Sequence, residues 1–267
     1  MSFVAYVTHG GGPLPLLGDP GHRELIASLR ELAGAAPRPQ AILLISAHWE
    51  APVASFTGGA HPQLVYDYYG FPEPAYHLQY PAPGDPALAA RAASLLHEAG
   101  IEARVDSERG FDHGLFVPLS LMYPEADVPV VEMSLLDSLD AGAHWRLGRA
   151  LVPLVAQGVA VIGSGSSFHN MAVLMGRGDP AEALDANRDF EQWLRQTCKN
   201  GDWGEEERGK RLCAWRQAPG GTFSHPREEH LLPALVCAGA AGKPADRVFA
   251  GRMGEVSVSS LLWQPGN

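Results

Sequence analysis

The stretch QAILLISAHWE (residues 40–50) decides the fold. Its apolar run is short, rich in β-formers and without polar alternation, which reads as a strand covered on both faces. It closes on an ionisable ring, His48, followed by Trp49 and Glu50. Runs of the same kind recur at SFVAYVT (2–8), VPVVEMSL (128–135) and GVAVIGSG (158–165), with weaker candidates at 53–57, 101–105, 246–250 and 255–262. Between them lie segments of helical period. In RELIASLRELAG, Leu25, Ile26, Leu29, Leu32 and Ala33 share one face and Gly34 supplies a stop. In PALAARAASLLHEAG, Leu88, Ala92, Leu95, Leu96 and Ala99 do the same before Gly100. Residues 141–157, 181–200 and 226–239 read as further helices, with Pro226 suited to a first turn because its missing N–H has no partner there anyway. Strands alternating with helices predict an α/β fold: one domain over residues 1–267, with a central, mostly parallel or mixed sheet flanked by helices on both faces.

Composition narrows the function. A chain of 267 residues, 46% hydrophobic, buries a substantial single core. Its formal net charge of -10, with no Lys/Arg-rich run, repels nucleic acid and anionic membrane, and the expected partner is a small molecule. No apolar run reaches the roughly 18–20 residues of a membrane span, and the opening MSFVAYVTHGGG lacks a basic region followed by an apolar core, so the expected location is cytoplasmic. Cys198, Cys213 and Cys237 are scattered, odd in number and read as reduced structural thiols.

Histidine placement points to the chemistry. His9, His48 and His169 each stand just past a probable buried strand, the edge of an open α/β sheet where ligands bind. One histidine at a strand end is ordinarily a hydrogen-bonded loop residue; three strands making the same choice favour a shared site that holds a divalent metal, transfers protons, or does both. In RGFDHGLFVPL (109–119), His113 sits on a short turn beside Asp112, which can fix its tautomer. In SHPREEHLLPAL (224–235), His225 precedes a helix start and His230 falls in its first turns, with Glu228 and Glu229 favouring the positive helix end. His22, His61, His77, His97 and His144 read as solvent-exposed. Residues 59–84, dense in Pro, Gly and Tyr, read as a wall or lid over a pocket. Trp49, Tyr69 and Phe168 are candidate pocket aromatics, equally suited to core packing.

Taken in order, THGGGP, ISAHWE, FDHGLFVPL, GSGSSFHN and HPREEHLLPA resemble the motifs of class III extradiol ring-cleaving dioxygenases, the LigB superfamily, in its DOPA 4,5-dioxygenase-like branch. The resemblance runs from residue 5 to about 262. It implies a non-haem metal, Fe(II) or zinc in a resting form, held by His9, His48 and a third ligand that matches His230, with Glu229 as the fallback. It implies that His169 faces substrate and dioxygen, as acid/base or as a fourth metal ligand, and that His113 is the second catalytic histidine. The implied substrates are a catechol, DOPA-like or protocatechuate-like, and O2. A carboxylate on such a ring is a candidate partner for Arg227 or Arg109, with Trp49 and His225 as further substrate contacts. Competing readings are weaker. HGGG also builds the oxyanion hole of α/β-hydrolases, but the nearest nucleophile elbow, Gly165 to His169, ends on histidine instead of glycine, and no HExxH motif marks a zinc peptidase. A Memo-like binding protein of the same fold remains the non-enzymatic alternative; it does not require the full histidine set seen here.

Overall fold

The computed structural model describes residues 2–265. Eight strands, β1 (Val4–Thr8), β2 (Ala41–Ala51), β3 (Ala54–Thr57), β4 (Ala103–Asp106), β5 (Val130–Leu136), β6 (Val159–Gly165), β7 (Arg247–Met253) and β8 (Val256–Trp263), form one sheet in the order β4-β3-β5-β2-β6-β1-β8-β7. The central strands β5, β2, β6 and β1 are parallel, while β8 joins β1 antiparallel and closes a hairpin with β7. The helices are α1 (Arg23–Ala35), α2 (Pro86–Glu98), α3 (His113–Met122), α4 (Ala141–Ala156), α5 (Met171–Leu174), α6 (Pro180–Lys199), α7 (Glu205–Cys213), α8 (Gly221–Ser224) and α9 (Leu232–Ala241). The α/β architecture is the one the strand–helix alternation predicts.

Side-chain alternation on the central strands builds two cores. Leu43, Ile45, Val131, Met133 and Val161 face α2, α4 and α9. Ile42, Leu44, Val130, Ala160 and Ile162 face α1 and α3. Both faces are dry, which is why these strands read as unbroken apolar runs, and each fully buried large side chain stabilises the fold by roughly 1.5–3 kcal/mol. Among the described residues no helix is long and apolar enough to cross a membrane. The three cysteines are free; burial raises the Cys198 thiol to about 12, which suits a structural role.

Several local expectations are corrected. β2 does not stop at residue 47: it continues to Ala51 after a register shift against β5 between Ile45 and Glu50, and His48 lies inside that irregularity. Such interruptions re-aim a side chain that regular pleating directs elsewhere. The helix expected at 226 starts at Leu232, with Pro233, not Pro226, in its first turn; residues 226–231 are turn. His113 opens a helix, α3, whose residues are buried nearly all round, so no polar face announced it. His22 and His144 are buried. The His22 ring accepts from Gly11 N–H (3.0 Å) and donates to Asp19 (2.7 Å), bracing the glycine turn that follows β1, where Gly10 takes φ +95. His144 accepts from Leu136 N–H (3.1 Å) and donates to the Asp140 carbonyl (2.8 Å), tying α4 to the end of β5.

Candidate metal centre

β1, β6 and β2 are sheet neighbours in register, Thr8 opposite Gly165 and Ser46 opposite Ser164. Their carboxyl ends therefore deliver His9 and His48 to one crevice. His230 reaches it from the turn before α9, where Tyr6 Oη–H (2.9 Å) and Ser166 N–H (3.0 Å) hold its carbonyl. Gly165 permits this approach, because a Cβ there meets the His230 carbonyl oxygen at 2.1 Å.

The three rings present nitrogen to one another. His48 Nε2 lies 3.0 Å from His9 Nε2 and 3.2 Å from His230 Nε2. Each ring's other nitrogen faces a protein acceptor. His9 Nδ1–H donates to Ser164 Oγ (2.9 Å), whose own hydroxyl proton goes to the Gly114 carbonyl. That carbonyl has no intrahelical donor, since the residue four positions on is Pro118, which lacks an N–H. His230 Nδ1–H donates to Glu229 Oε1 (3.0 Å), and His48 Nδ1 is 3.9 Å from Asp67 Oδ2. The Nε2 atoms of His9 and His230 are thus left as lone pairs, and both face Nε2 of His48, whose Nδ1 has no acceptor within hydrogen-bond distance among the described residues.

Electrostatics keeps these rings neutral. Burial, then the neighbouring His48 and His230, depress the His9 pKa well below the usual range. Burial, then His113, bring His48 down to about 4, and burial, then His169, lower His230. Neutral imidazoles at this spacing repel unless a cation lies between them. Nitrogen ligands at 2.0–2.1 Å from a tetrahedral Zn²⁺ lie about 3.3 Å apart, close to the separations found here. The donor set fits a divalent metal.

Two more imidazoles flank the three. His113 lies against His48 with ring centroids 3.8 Å apart and planes tilted by 42°, and both its backbone N–H (3.0 Å) and Nδ1–H (2.8 Å) donate to Asp67 Oδ1. His169 lies flat on His230, centroids 3.4 Å apart and planes within 16°, with Nδ1–H donated to Glu229 Oε1 (2.9 Å). Glu229 Oε1 therefore serves two rings as acceptor, while Oε2 has no hydrogen-bond partner among the described residues. Burial alone raises its pKa, but the bonds from His169 and His230 outweigh that and hold the carboxylate well below its ordinary value. His169 does not join the three convergent nitrogens.

The other sequence candidates are buried or already paired, apart from Tyr69. His225 is fully buried against Phe190 and Trp215, donating Nε2–H to the Ser167 carbonyl (3.0 Å), so no substrate reaches it. Burial lowers its pKa to about 3. Trp49 is buried beneath Arg109, whose guanidinium stacks on it at 5.0 Å and pairs with Asp112 at 3.1 Å. Arg227 lies beside Glu229 (3.4 Å) with its fork closed on Glu50 (2.6 and 2.7 Å), so pairing with a substrate carboxylate requires a change of partner. Phe168 is fully buried and Tyr69 is 91% exposed. The aromatic that meets the site is Tyr68, edge-on to His113 at 5.6 Å, backed by Phe71 and Tyr76. The 59–84 segment is thus a wall of the crevice, and it also carries Asp67. Asp67, Ser164 and Tyr68 were not singled out in the sequence; a lone carboxylate amid the aromatics of VYDYYG was the one available signal.

Residues 8–259 match the family described as the catalytic LigB subunit of aromatic ring-opening dioxygenase. "Dioxygenase tasH" of Hapsidospora irregularis is 44% identical over 89% of this chain and 78% of its own length. "4,5-DOPA dioxygenase extradiol" of Mirabilis jalapa is 36% identical over 91% of this chain and 88% of its own length. The crystal structure of uncharacterized protein JW3007 from Escherichia coli superposes with a TM-score of 0.76 at 33% identity, covering 98% of this chain and 99% of that one. The chain belongs to the LigB family and is an extradiol ring-cleavage dioxygenase.

Proposed function

We propose that His9, His48 and His230 hold a non-haem Fe(II), with zinc as the resting occupant, and that the substrate is a small catechol of the DOPA or protocatechuate type, opened next to its diol with both atoms of O2 incorporated. The observation that carries this reading is the convergence of Nε2 from His9, His48 and His230, with His48 Nε2 3.0 and 3.2 Å from the other two, and with His113 and His169 placed on either side. A metal held there supplies the point at which diol and dioxygen are brought together and activated.

The chain's own residues supply the proton handling. With Nδ1–H donated to Glu229, His169 presents a bare Nε2 that accepts a proton from a diol hydroxyl and later returns it, a role worth about 10²–10⁴-fold in rate. His113, fixed the same way by Asp67, offers its Nε2 to a substrate hydroxyl or to the incoming oxygen. Tyr68 gives the planar ring an edge to rest against. DOPA heads the list of candidates because several relatives carry its name. The three unpaired thiols are in keeping with a cytoplasmic setting.

Protein loaded anaerobically with Fe(II) is expected to consume oxygen with at least one of DOPA, protocatechuate, gallate and catechol, giving a coloured ring-opened product. Silence across that panel, in oxygen uptake and visible absorbance alike, overturns the substrate reading. His9→Ala is expected to lose metal, and His169→Ala to keep metal while losing turnover; equal metal loss makes His169 a ligand.

A further inference from the structure

The two carboxylates of the site have matching connections. Asp67 sits between His48, one of the convergent rings, and His113, which is not. Glu229 sits between His230, another convergent ring, and His169, which is not. They enter from different parts of the chain, Asp67 from the aromatic wall and Glu229 from the turn before α9. A carboxylate oxygen only accepts, so every imidazole nitrogen bonded to it must carry the proton. Glu229, the acceptor for both His169 and His230, therefore puts both in the Nδ1–H tautomer and leaves both Nε2 atoms bare; Asp67 does the same for His113.

We propose that Asp67 and Glu229 are positioning residues for the site's imidazoles: Glu229 sets the tautomer of metal-facing His230 and of proton-handling His169, and Asp67 sets that of His113. The proposal builds on the roles given above to His113 and His169. The two clamps differ in balance. Glu229 Oε1 bonds both of its rings, at 2.9 and 3.0 Å, so it acts on metal holding and on His169 alike. Asp67 bonds His113 twice, at 2.8 and 3.0 Å, but lies 3.9 Å from His48 Nδ1, so it acts chiefly on His113. In each case one oxygen takes both short bonds, so an amide carbonyl in the same place can replace it.

The test measures zinc affinity by chelator competition and ring tautomers by ¹⁵N NMR of the zinc-loaded protein, with neither diol nor oxygen present. Glu229→Ala is expected to weaken zinc binding about 10–100-fold and to remove the Nδ1–H signals of His169 and His230. Asp67→Ala is expected to bind zinc as the parent does and to lose only the His113 Nδ1–H signal. Glu229→Gln and Asp67→Asn, which keep the accepting oxygen, are expected to retain zinc and tautomers. If the amide variants behave like the alanine variants, the carboxylates ligate metal or carry protons themselves and the proposal is overturned; unchanged tautomers in all four overturn it as well. Should an alanine variant not fold, the amide pair still decides. Failure of the oxygen-uptake panel leaves these readouts untouched, so the two readings fail separately.

Discussion

Ser164 has one hydroxyl and two partners. It donates to the carbonyl that Pro118 leaves free in α3 and accepts from His9 Nδ1–H, so a proline in one helix fixes the tautomer of a ring after a strand. Ser164→Ala strands a buried N–H on His9. It is expected to lower stability by about 1–3 kcal/mol and zinc affinity by about 10–100-fold, read by urea unfolding and chelator competition; unchanged affinity shows that His9 is held by its backbone alone. Residues of this kind were hard to find in the sequence. His9, His48 and His169 were legible because an ionisable ring at the end of an apolar run is conspicuous, and His230 through the resemblance of HPREEHLLPA to a family motif. Ser164 hides in GSGSS and Asp67 in VYDYYG, and both act by bonding a ring whose position only the folded chain defines. Trp49 and His225 illustrate the converse: both are buried, and proximity to a site residue in sequence does not say which side of the backbone faces the crevice.

Among the elements, α9 does most to hold His230, and it does so by sinking into a slot of glycines. A Cβ on Gly163 of β6 meets the Pro233 carbonyl oxygen at 2.5 Å, one on Gly148 of α4 meets the Val236 carbonyl oxygen at 2.0 Å, and one on Gly239 of α9 meets the Trp145 carbonyl oxygen at 2.5 Å. Helix and sheet touch backbone to backbone. Gly148→Ala is therefore expected to destabilise by about 1–3 kcal/mol. Gly34→Ala in α1, where nothing lies within 4 Å, is expected to stabilise by about 0.5–1 kcal/mol through helix propensity alone. Urea midpoints that move together for the two variants contradict the slot. The same packing explains what the sequence withheld: LPALVCAGAA and HGLFVPLSLM are apolar all round, so the start of α9 and the whole of α3 lack the stripe that made α1 and α2 readable. The eight strands were legible because short β-branched runs between glycine and proline breaks have few other fates.

At the scale of the whole molecule, a metal at His9, His48 and His230 fastens the start of the chain, a central strand and the turn before α9 to one point. Binding the folded state alone, zinc at 100 times its Kd adds about 2.7 kcal/mol to stability. Acid acts on this in two ways. Buried His225 and His48, at about 3 and about 4, and His9, His230 and His144, also lowered by burial, all titrate below the ordinary histidine value when folded. The unfolded chain therefore binds more protons once the pH drops below about 6.5. Stability is full above that pH and falls as the pH descends towards the folded values, by at most about 1.4 kcal/mol per pH unit for each ring. Metal-loaded and metal-stripped protein share this fall, and His225→Gln is expected to make it shallower in both. The gap between them behaves differently, because it depends on protons competing for the folded site alone. With those imidazoles still neutral, urea midpoints with and without zinc at fixed free concentration are expected to stay apart from pH 7.5 to about 5 and to close only towards about 4. A gap that begins to close near 6.5 means that the rings titrate as ordinary histidines, and the dry convergent site described here is then wrong.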